Sequence, residues 1–178
     1  QMNDDIYWNM FTPIIASGLP KSTLDTMEKL LEDSDPNDTN PRVRQARGAL
    51  LKQMSWLSFN ERRLRIQAMW EEFFTSFDVL ICPVTFSTAF AHNHEPDLFN
   101  RTITVDGIKR HYSEITAWPS VATLPQLPSL VVPIGQNANG LPIGVQIIGP
   151  YLEDYTPIAF AQAIEGVCSG YNPPSIVQ

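Results

Sequence analysis

Four side chains of the kinds that bind metal ions lie close together near the middle of the chain. They are His92, His94, Glu95 and Asp97. Imidazole and carboxylate groups at such short intervals could hold a divalent cation that activates a water molecule for hydrolysis. Their spacing matches no familiar zinc pattern, however, and no cysteine lies beside them. We therefore expect an exposed polar loop here and predict no metal site.

The region around these residues, 83–111, is the least regular part of the sequence. It follows a short apolar run at 78–82, which predicts a buried strand. Loops that leave the end of a strand often carry binding residues. Within the region, residues 103–108 contain an Asp-Gly pair, which favours a small hairpin. We expect any functional contacts of this chain to lie in this region.

Two apolar runs rich in branched side chains, 129–134 and 143–148, predict the strands that organise the fold. Between them, Asn139 and Gly140 adopt positive φ readily and favour a tight reversal. Neither run alternates cleanly between apolar and polar residues. We therefore expect both faces of each strand to be covered, as in the middle of a layered α/β sheet.

Several residues inside these two runs have special backbone or hydrogen-bonding needs. Pro133 and Pro142 cannot donate to a strand ladder, so we place each at a strand end or a bulge. Gly144 lacks a Cβ and allows a close approach by another backbone or a ligand. Gln146 is an amide in an apolar run and needs partners if it is buried.

Apolar residues at helical spacing fill the first 77 residues. Asn40 followed by Pro41 predicts one helix start, and Ser58 with Glu61 forms a capping-box pattern that predicts another. The aromatic stripe that follows is expected to be core, because large rings bury well on a helix face. Its members are Ile66, Met69, Trp70, Phe73, Phe74 and Phe77.

Two further helical segments are predicted nearer the end of the chain. Residues 112–123 predict a short helix that is broken at Pro119 and carries Trp118, which we expect in the core. Thr156 is the expected cap of the last helix, with Pro157 in its first turn and Gly170 at its stop. The helix-to-strand order is typical of an α/β fold rather than a bundle.

Composition places limits on the class of protein. The chain has 178 residues, 43% of them hydrophobic, which is enough for one domain with a core. A net charge of -7 argues against nucleic acid as a partner. The absence of a long apolar run or a basic leader predicts a soluble protein that does not bind a membrane. Cys82 and Cys168 are too few for a disulfide framework and favour a cytoplasmic location.

Three strings of this sequence resemble those of amidase-signature enzymes. Residues 128–135 and 139–149 together are similar to the C-terminal hallmark of that family. Residues 77–85 resemble the family's strand that ends in Pro-x-Thr, and the segment from Glu153 resembles the amphipathic stretch that follows the hallmark. One departure is Gln126, which stands where the family usually has glycine ahead of Leu-Pro.

The resemblance implies an α/β fold, the C-terminal part of the amidase-signature fold, with a mixed central sheet covered by helices. It implies one domain portion over residues 1–178. Within it we expect a helical part at 1–77, a strand, loop and hairpin region at 78–149, and a terminal helix and tail at 150–178.

The family cleaves the C–N bond of carboxamides with a serine nucleophile that a second serine and a lysine activate. Its nucleophile lies in a glycine- and serine-rich loop upstream of the matched strings, and this sequence contains no such loop. No catalytic residue is therefore carried over, and the chain alone is expected to be inactive. The resemblance places substrate-binding residues at Val84, Thr85 and Phe86, and it implies no cofactor.

The partners implied are a small-molecule amide substrate of the intact enzyme and an upstream catalytic segment. Because half of an α/β layer should leave an apolar face uncovered, we also expect a homo-oligomer. Three alternatives stay open. The chain could belong to the amidase subunit of a glutamyl-tRNA amidotransferase. It could be a non-catalytic binding module that retains half of the fold. It could also be a metal-dependent hydrolase that uses the region around His92.

Overall fold

A computed structural model describes residues 2–168, 170, 171 and 173, although not the side chains of residues 2–5. The predicted tail beyond residue 173 lies outside the described residues. The chain forms two compact units, Gln1–Ile66 and Gln67–Gln178. The sequence predicted instead one domain portion divided into three parts, and that division stays a prediction.

The first unit is helical. Its elements are α1 (Met2–Ala16), α2 (Lys21–Glu32), α3 (Pro41–Ala49) and the start of α4 (Gln53–Phe74). α3 packs against both α1 and α2. Gly48 permits the closest approach, because a Cβ there would lie 3.0 Å from the Cβ of Thr12 on α1. Trp56 fixes the beginning of α4 by donating its indole N–H to the carbonyl of Met10 at 3.2 Å.

The predicted helix starts have different outcomes. Asn40 does cap α3, since its side-chain oxygen accepts the Arg42 N–H at 3.0 Å. The start predicted at Ser58 is wrong, because α4 runs without a break from Gln53 to Phe74. Thr156 is not the cap of the last helix, α6 (Tyr155–Glu165), which begins one residue earlier.

The described part of the second unit holds five strands in two sheets. They are β1 (Leu80–Pro83), β2 (Thr102–Val105), β3 (Ile108–His111), β4 (Ser129–Gln136) and β5 (Pro142–Ile148). β2 and β3 form the predicted Asp-Gly hairpin. The main sheet has the order β1-β5-β4, with every neighbouring pair antiparallel. The α/β fold class and the pairing of the two predicted strands are confirmed, although the described main sheet is antiparallel throughout rather than mixed.

Both prolines of the hairpin lie where a missing N–H costs least. The β4–β5 register shifts between Pro133 and Gly135, as expected for a bulge, and Pro142 is the first residue of β5. Gly144 does allow a close approach, because a Cβ there would lie 3.1 Å from a methyl carbon of Val131. These local predictions are confirmed.

Coverage of the sheet differs between its strands. Ile147 and Ile148 point to opposite faces and are both fully buried, so the end of β5 is covered on both sides. Val131 on β4 is 52% exposed, which contradicts the expectation that both faces of β4 are covered. β4 is an edge strand in this sheet, so its side chains have fewer neighbours than those of β5.

One core cluster lies where β1 and β5 meet the helices. Its buried members are Cys82, Ala122, Leu127 and Ile148, with the rings of Trp70 and Phe74 packed against them. The core prediction for the aromatic stripe is confirmed at Trp70 and Phe74. It is wrong at Met69 and Phe77, which are 69% and 56% exposed, and Trp118 is also exposed rather than core.

Two short helical segments connect β3 to β4. They are a 3₁₀ turn (Tyr112–Thr116) and α5 (Pro119–Thr123), close to the broken helix predicted from the sequence. Among the described residues, no helix combines the length and the apolar composition that crossing a bilayer requires.

Candidate functional site

The candidate site lies at one end of the main sheet, where β1 and β4 finish and β5 begins. Pro83, the last residue of β1, pairs with Val145, and Gln136, the last residue of β4, pairs with Pro142. Because β1 and β4 both run antiparallel to β5, their carboxyl ends lie at the end of the sheet where β5 begins. The loop that leaves β1 and the turn that leaves β4 therefore emerge side by side.

The three predicted substrate-binding residues begin the loop that follows β1. Val84, Thr85 and Phe86 are consecutive, and each is partly buried. The hydroxyl oxygen of Thr85 is shielded from solvent and has no hydrogen-bond partner within the described part of the chain. A buried hydroxyl without a partner is uncommon in folded proteins, because it gives up its bonds to water without replacing them.

The turn after β4 contacts this loop through Asn137. Its Nδ2 donates to the hydroxyl of Thr88 at 3.2 Å. Its Oδ1 accepts the N–H groups of Asn139 at 2.9 Å and Leu141 at 3.0 Å, and its own N–H donates to the carbonyl of Leu141 at 2.9 Å. Asn137 therefore shapes the β4–β5 turn and joins it to the candidate loop, residues 84–88.

The β2–β3 hairpin contacts the same loop through Arg110. The guanidinium carbon lies 5.6 Å from the ring centroid of Phe86, a cation–π contact. One carboxylate oxygen of Glu114 accepts from Arg110 at 3.0 Å, and the other accepts the backbone N–H of His111 at 2.9 Å. Partial burial acts to raise the pKa of Glu114, but these bonds and the Arg110 charge lower it on balance.

The ring of His111 makes hydrogen bonds that stabilise the end of the hairpin. Nε2 lies 2.7 Å from the carbonyl oxygen of Phe99, and Nδ1 accepts the N–H of Ser113 at 3.2 Å. A nitrogen that faces a carbonyl must donate, so the proton lies on Nε2 in the neutral ring. His111 thereby caps the 3₁₀ turn and is not free to ligate a metal.

The candidate metal residues near His92 stay apart from this network. The rings of His92 and His94 stack with centroids 6.0 Å apart, and Glu95 accepts the N–H of Asp97 at 3.3 Å. Among the described residues, no group of three or more histidine, cysteine or acidic side chains converges as a metal site would require. The geometry gives no support to the metal-dependent alternative.

Cys82 lies on β1 just before the candidate loop. Gln146 on β5 approaches its sulfur at 3.7 Å, and this is the polar contact that the buried amide makes. Burial raises the pKa of the Cys82 thiol above its ordinary value. The group is therefore held in its neutral form, which is a poor nucleophile.

A cavity of about 360 Å³ lies at the other end of the sheet. It is next to Asp78 and Pro150, which flank the paired ends of β1 and β5. Its remaining lining residues are Glu71, Phe74, Thr75, Phe77, Tyr151, Glu153 and Thr156. The residues predicted to bind substrate do not line it.

Sequence reasoning missed four residues that contact or support the candidate loop: Thr88, Arg110, Glu114 and Asn137. Three of them had a local signal. Asn137 begins an Asn-x-Asn-Gly turn, and Arg110 with Glu114 forms an oppositely charged pair four residues apart. Neither signal identifies the loop as the partner, because that contact joins segments distant in sequence.

Comparison with known proteins connects these features to one family. The model of the Amidase family matches residues 8–157, the greater part of the chain. One glutamyl-tRNA(Gln) amidotransferase subunit, from Gluconobacter oxydans (strain 621H), is 31% identical over 121 residues, covering 68% of this chain and 22% of the relative. The corresponding protein of Thermosynechococcus vestitus is 34% identical over 110 residues, covering 62% and 21%. The matched segment thus spans about a fifth of these curated relatives.

Solved structures share the fold. A crystal structure of an amidase superposes with a TM-score of 0.64 at 20% identity, covering 93% of this chain and 35% of that chain. A bacterial aryl acylamidase of the amidase-signature family gives 0.59 at 18% identity, covering 93% and 33%. The glutamyl-tRNA(Gln) amidotransferase subunit of Thermotoga maritima gives 0.55 at 21% identity, covering 95% and 34%.

Proposed function

The chain belongs to the amidase family, and we propose that it forms the fold-supporting and substrate-contacting portion of an enzyme that hydrolyses carboxamides. The family match over residues 8–157 carries this proposal. The likeness in fold to an amidase and an aryl acylamidase supports it. The candidate loop at the carboxyl end of β1 occupies a position from which loops commonly bind ligands.

The difficult step of amide hydrolysis lies with another segment under this proposal. A carboxamide resists attack, so the reaction needs an activated nucleophile and donors for the tetrahedral oxyanion. By family resemblance these are a serine, a second serine, a lysine and backbone N–H groups in a glycine-rich loop. The 178 residues contain no such loop, and their matched segment corresponds to 22% of the first relative.

The loop after β1 would contact the amide substrate. A carboxamide offers an oxygen that accepts and a nitrogen that donates, so it can pair with the hydroxyl of Thr85 in either direction. That hydroxyl is buried and lacks a partner among the described residues. Val84 and Phe86 on either side of it would supply apolar surface for the acyl group.

The first test is a titration of the ¹⁵N-labelled chain with benzamide, followed by NMR. We expect chemical-shift changes at the amides of Val84, Thr85 and Phe86. Benzoate is the matched control, because it keeps the ring and replaces the carboxamide. Thr85→Val should weaken binding about fivefold by removing one hydrogen bond, whereas Thr85→Ser should retain it. Equal responses to benzamide and benzoate would count against the proposal.

The second test concerns activity. The purified chain should release no ammonia from benzamide or hexanamide, since the proposal assigns the nucleophile elsewhere. Turnover that disappears when one serine of this chain is replaced by alanine would show that the chain contains its own nucleophile, and the division of labour proposed here would fall.

The amidase subunit of an amidotransferase is a second candidate. The curated relatives that match with 29% to 38% identity are named as subunits of glutamyl-tRNA(Gln) amidotransferase, and this observation favours it. Glutamine-dependent ammonia release that requires partner subunits would support this candidate. Hydrolysis of simple amides by the intact enzyme without such partners would favour the hydrolase.

The cellular location belongs to the same proposal. Cys82 and Cys168 are both free thiols, which suits the reducing cytoplasm. A fluorescent fusion that fills the cytoplasm would agree, and one that accumulates outside it would not.

A further inference from the structure

We propose that Arg110 and Asn137 are positioning residues that hold the candidate loop, residues 84–88, from two sides and so keep Thr85 and Phe86 in their binding orientation. The binding role of the loop rests on the proposed function, whereas the clamp rests on contacts alone. The family resemblance suggested Val84, Thr85 and Phe86 but assigned no role to the residues that hold them.

The first side of the clamp is the charged network of the β2–β3 hairpin. Arg110 stacks over the ring of Phe86 and is itself fixed by the carboxylate of Glu114 at 3.0 Å. The same carboxylate accepts the His111 N–H, so the network is tied to backbone as well as to a side chain. A planar guanidinium can lie flat over an aromatic ring in a way that a compact ammonium group cannot reproduce.

The second side of the clamp is the turn after β4. Asn137 donates to the hydroxyl of Thr88 while its oxygen accepts two backbone N–H groups of the turn. Its amide is therefore fixed by the turn before it reaches the loop. Thr88 lies at the far end of the loop from β1, so the loop is anchored at both ends.

The unpaired hydroxyl belongs to Thr85, the residue directly before the anchored Phe86. An unanchored loop would relax until such a hydroxyl regained a hydrogen bond to water. The anchors oppose that relaxation, so the hydroxyl keeps an unused capacity for a hydrogen bond. This arrangement is the preorganisation that a binding loop needs, because the cost of ordering it is met before the ligand arrives.

Limited proteolysis of the full 178-residue chain tests the clamp. Chymotrypsin cleavage after Phe86 reports how often the loop opens, and cleavage after the exposed Phe90 serves as the internal reference. Arg110→Ala should raise the ratio of the first rate to the second by about two- to fivefold, the loss expected for an exposed cation–π contact. Thr88→Val, which removes the hydroxyl bonded to Asn137, should raise it about fivefold.

Matched controls separate the clamp from general destabilisation. Lys109→Ala changes the neighbouring charge on the hairpin, and Thr88→Ser retains the hydroxyl, so both should leave the cleavage ratio unchanged. Urea unfolding of each variant checks that the fold persists. A ratio that is unchanged in both Arg110→Ala and Thr88→Val, or raised equally in the two controls, would overturn the proposal.

Benzamide binding separates this proposal from the proposed function. If both the clamp and the proposed function are correct, Arg110→Ala should raise the dissociation constant for benzamide by about the same factor as the cleavage ratio. Arg110→Lys should recover little of the lost affinity. If the cleavage ratio changes as expected but wild-type protein ignores benzamide, the clamp stands and the proposed function falls. If benzamide binds equally well to wild type and Arg110→Ala, the positioning role falls alone.

Discussion

At the scale of single residues, Gln126 shows most clearly how a departure from a family pattern appears in structure. It adopts a φ of 61° three residues after the end of α5. The N–H of Leu127 donates back to the carbonyl of Ala122 at 2.9 Å, which closes the helix end as in a Schellman motif. The left-handed residue of that motif is usually glycine, because a Cβ crowds the backbone there.

Replacing Gln126 with glycine should therefore stabilise the protein. We expect the Gln126→Gly variant to gain about 1 kcal/mol in free energy of unfolding, after the entropy cost of a flexible residue in the unfolded chain. Urea unfolding measures the change. Gln126→Ala is the control, since alanine meets the same backbone crowding. An equal gain in both variants would show that backbone conformation is not the cause.

Residues with local backbone requirements could be predicted from sequence. Proline at a bulge, glycine at a close approach and asparagine at a helix cap each follow from the chemistry of one residue. The contact of Arg110 with Phe86 could not, because it depends on how a hairpin and a loop fold back on each other. Thr85 was suggested only by family resemblance, and its unpaired hydroxyl became visible only in the structure.

At the scale of elements, both hairpins were predictable and the start of α4 was not. Asn-Gly and Asp-Gly pairs favour one kind of turn, and Asp106 and Gly107 adopt the positive φ values that such a turn requires. A Ser-x-x-Glu pattern is weaker, because it stabilises a helix start without preventing the helix from beginning earlier. Trp56 is bonded to Met10 one turn into α4, and that distant contact stabilises the earlier start.

Alanine substitutions test whether Ser58 lies inside a helix, as in the structure, or caps one as Asn40 does. Ser58→Ala should raise the free energy of unfolding by about 0.5 kcal/mol, because alanine is the better residue inside a helix. Asn40→Ala should lower it by about 1 kcal/mol, because Asn40 is a true cap. Chemical unfolding of both variants measures this. A loss at Ser58 as large as that at Asn40 would restore the helix start predicted from the sequence.

Acid should loosen the turn that follows β3. The bonds from His111 and Arg110 lower the pKa of Glu114 below its ordinary value of 4.5. The ionised carboxylate therefore stabilises the fold fully at pH values above 4.5. That contribution is lost as the pH falls through the lowered folded-state pKa. Glu114→Gln should therefore lose less stability between pH 7 and pH 3 than wild type, as urea unfolding at each pH would show.

The control for this pH dependence is Glu61→Gln, which neutralises an exposed carboxylate on α4. It should leave the acid profile like that of wild type. Identical profiles for wild type and Glu114→Gln would mean that the Glu114 network contributes nothing to the acid response.

At the scale of the whole molecule, the second unit leaves apolar side chains of its outer strands in solvent. Ile81 on β1 is 49% exposed and Val131 on β4 is 52% exposed. On its outer side, neither strand pairs with another strand of the described chain. Exposed apolar residues on unpaired strand edges favour association with another polypeptide.

Self-association should therefore depend on these two residues. Light scattering of the purified chain should give a mass above that of one chain. A variant with Ile81→Lys and Val131→Lys should move toward the monomer, because a charge on an edge strand opposes pairing. Ile108→Lys, on the β2–β3 hairpin, is the control for adding charge. A wild-type mass equal to one chain would contradict this prediction.

The α/β class and the strands of the main sheet were predictable at this scale, because the hallmark string encodes both strands and the turn between them. The division into units at residue 66 was not, since α4 runs across it as one unbroken helix. The exposure of β4 was also missed. A run of branched residues looks the same in sequence whether its strand is central or at an edge.

The central claim, that the loop after β1 contacts an amide substrate, is tested most directly by a crystal structure of the chain with benzamide. We expect benzamide at the loop, with a carboxamide atom within about 3.2 Å of the Thr85 hydroxyl oxygen. Benzamide bound instead in the cavity beside Asp78 and Pro150, with the loop empty, would contradict it.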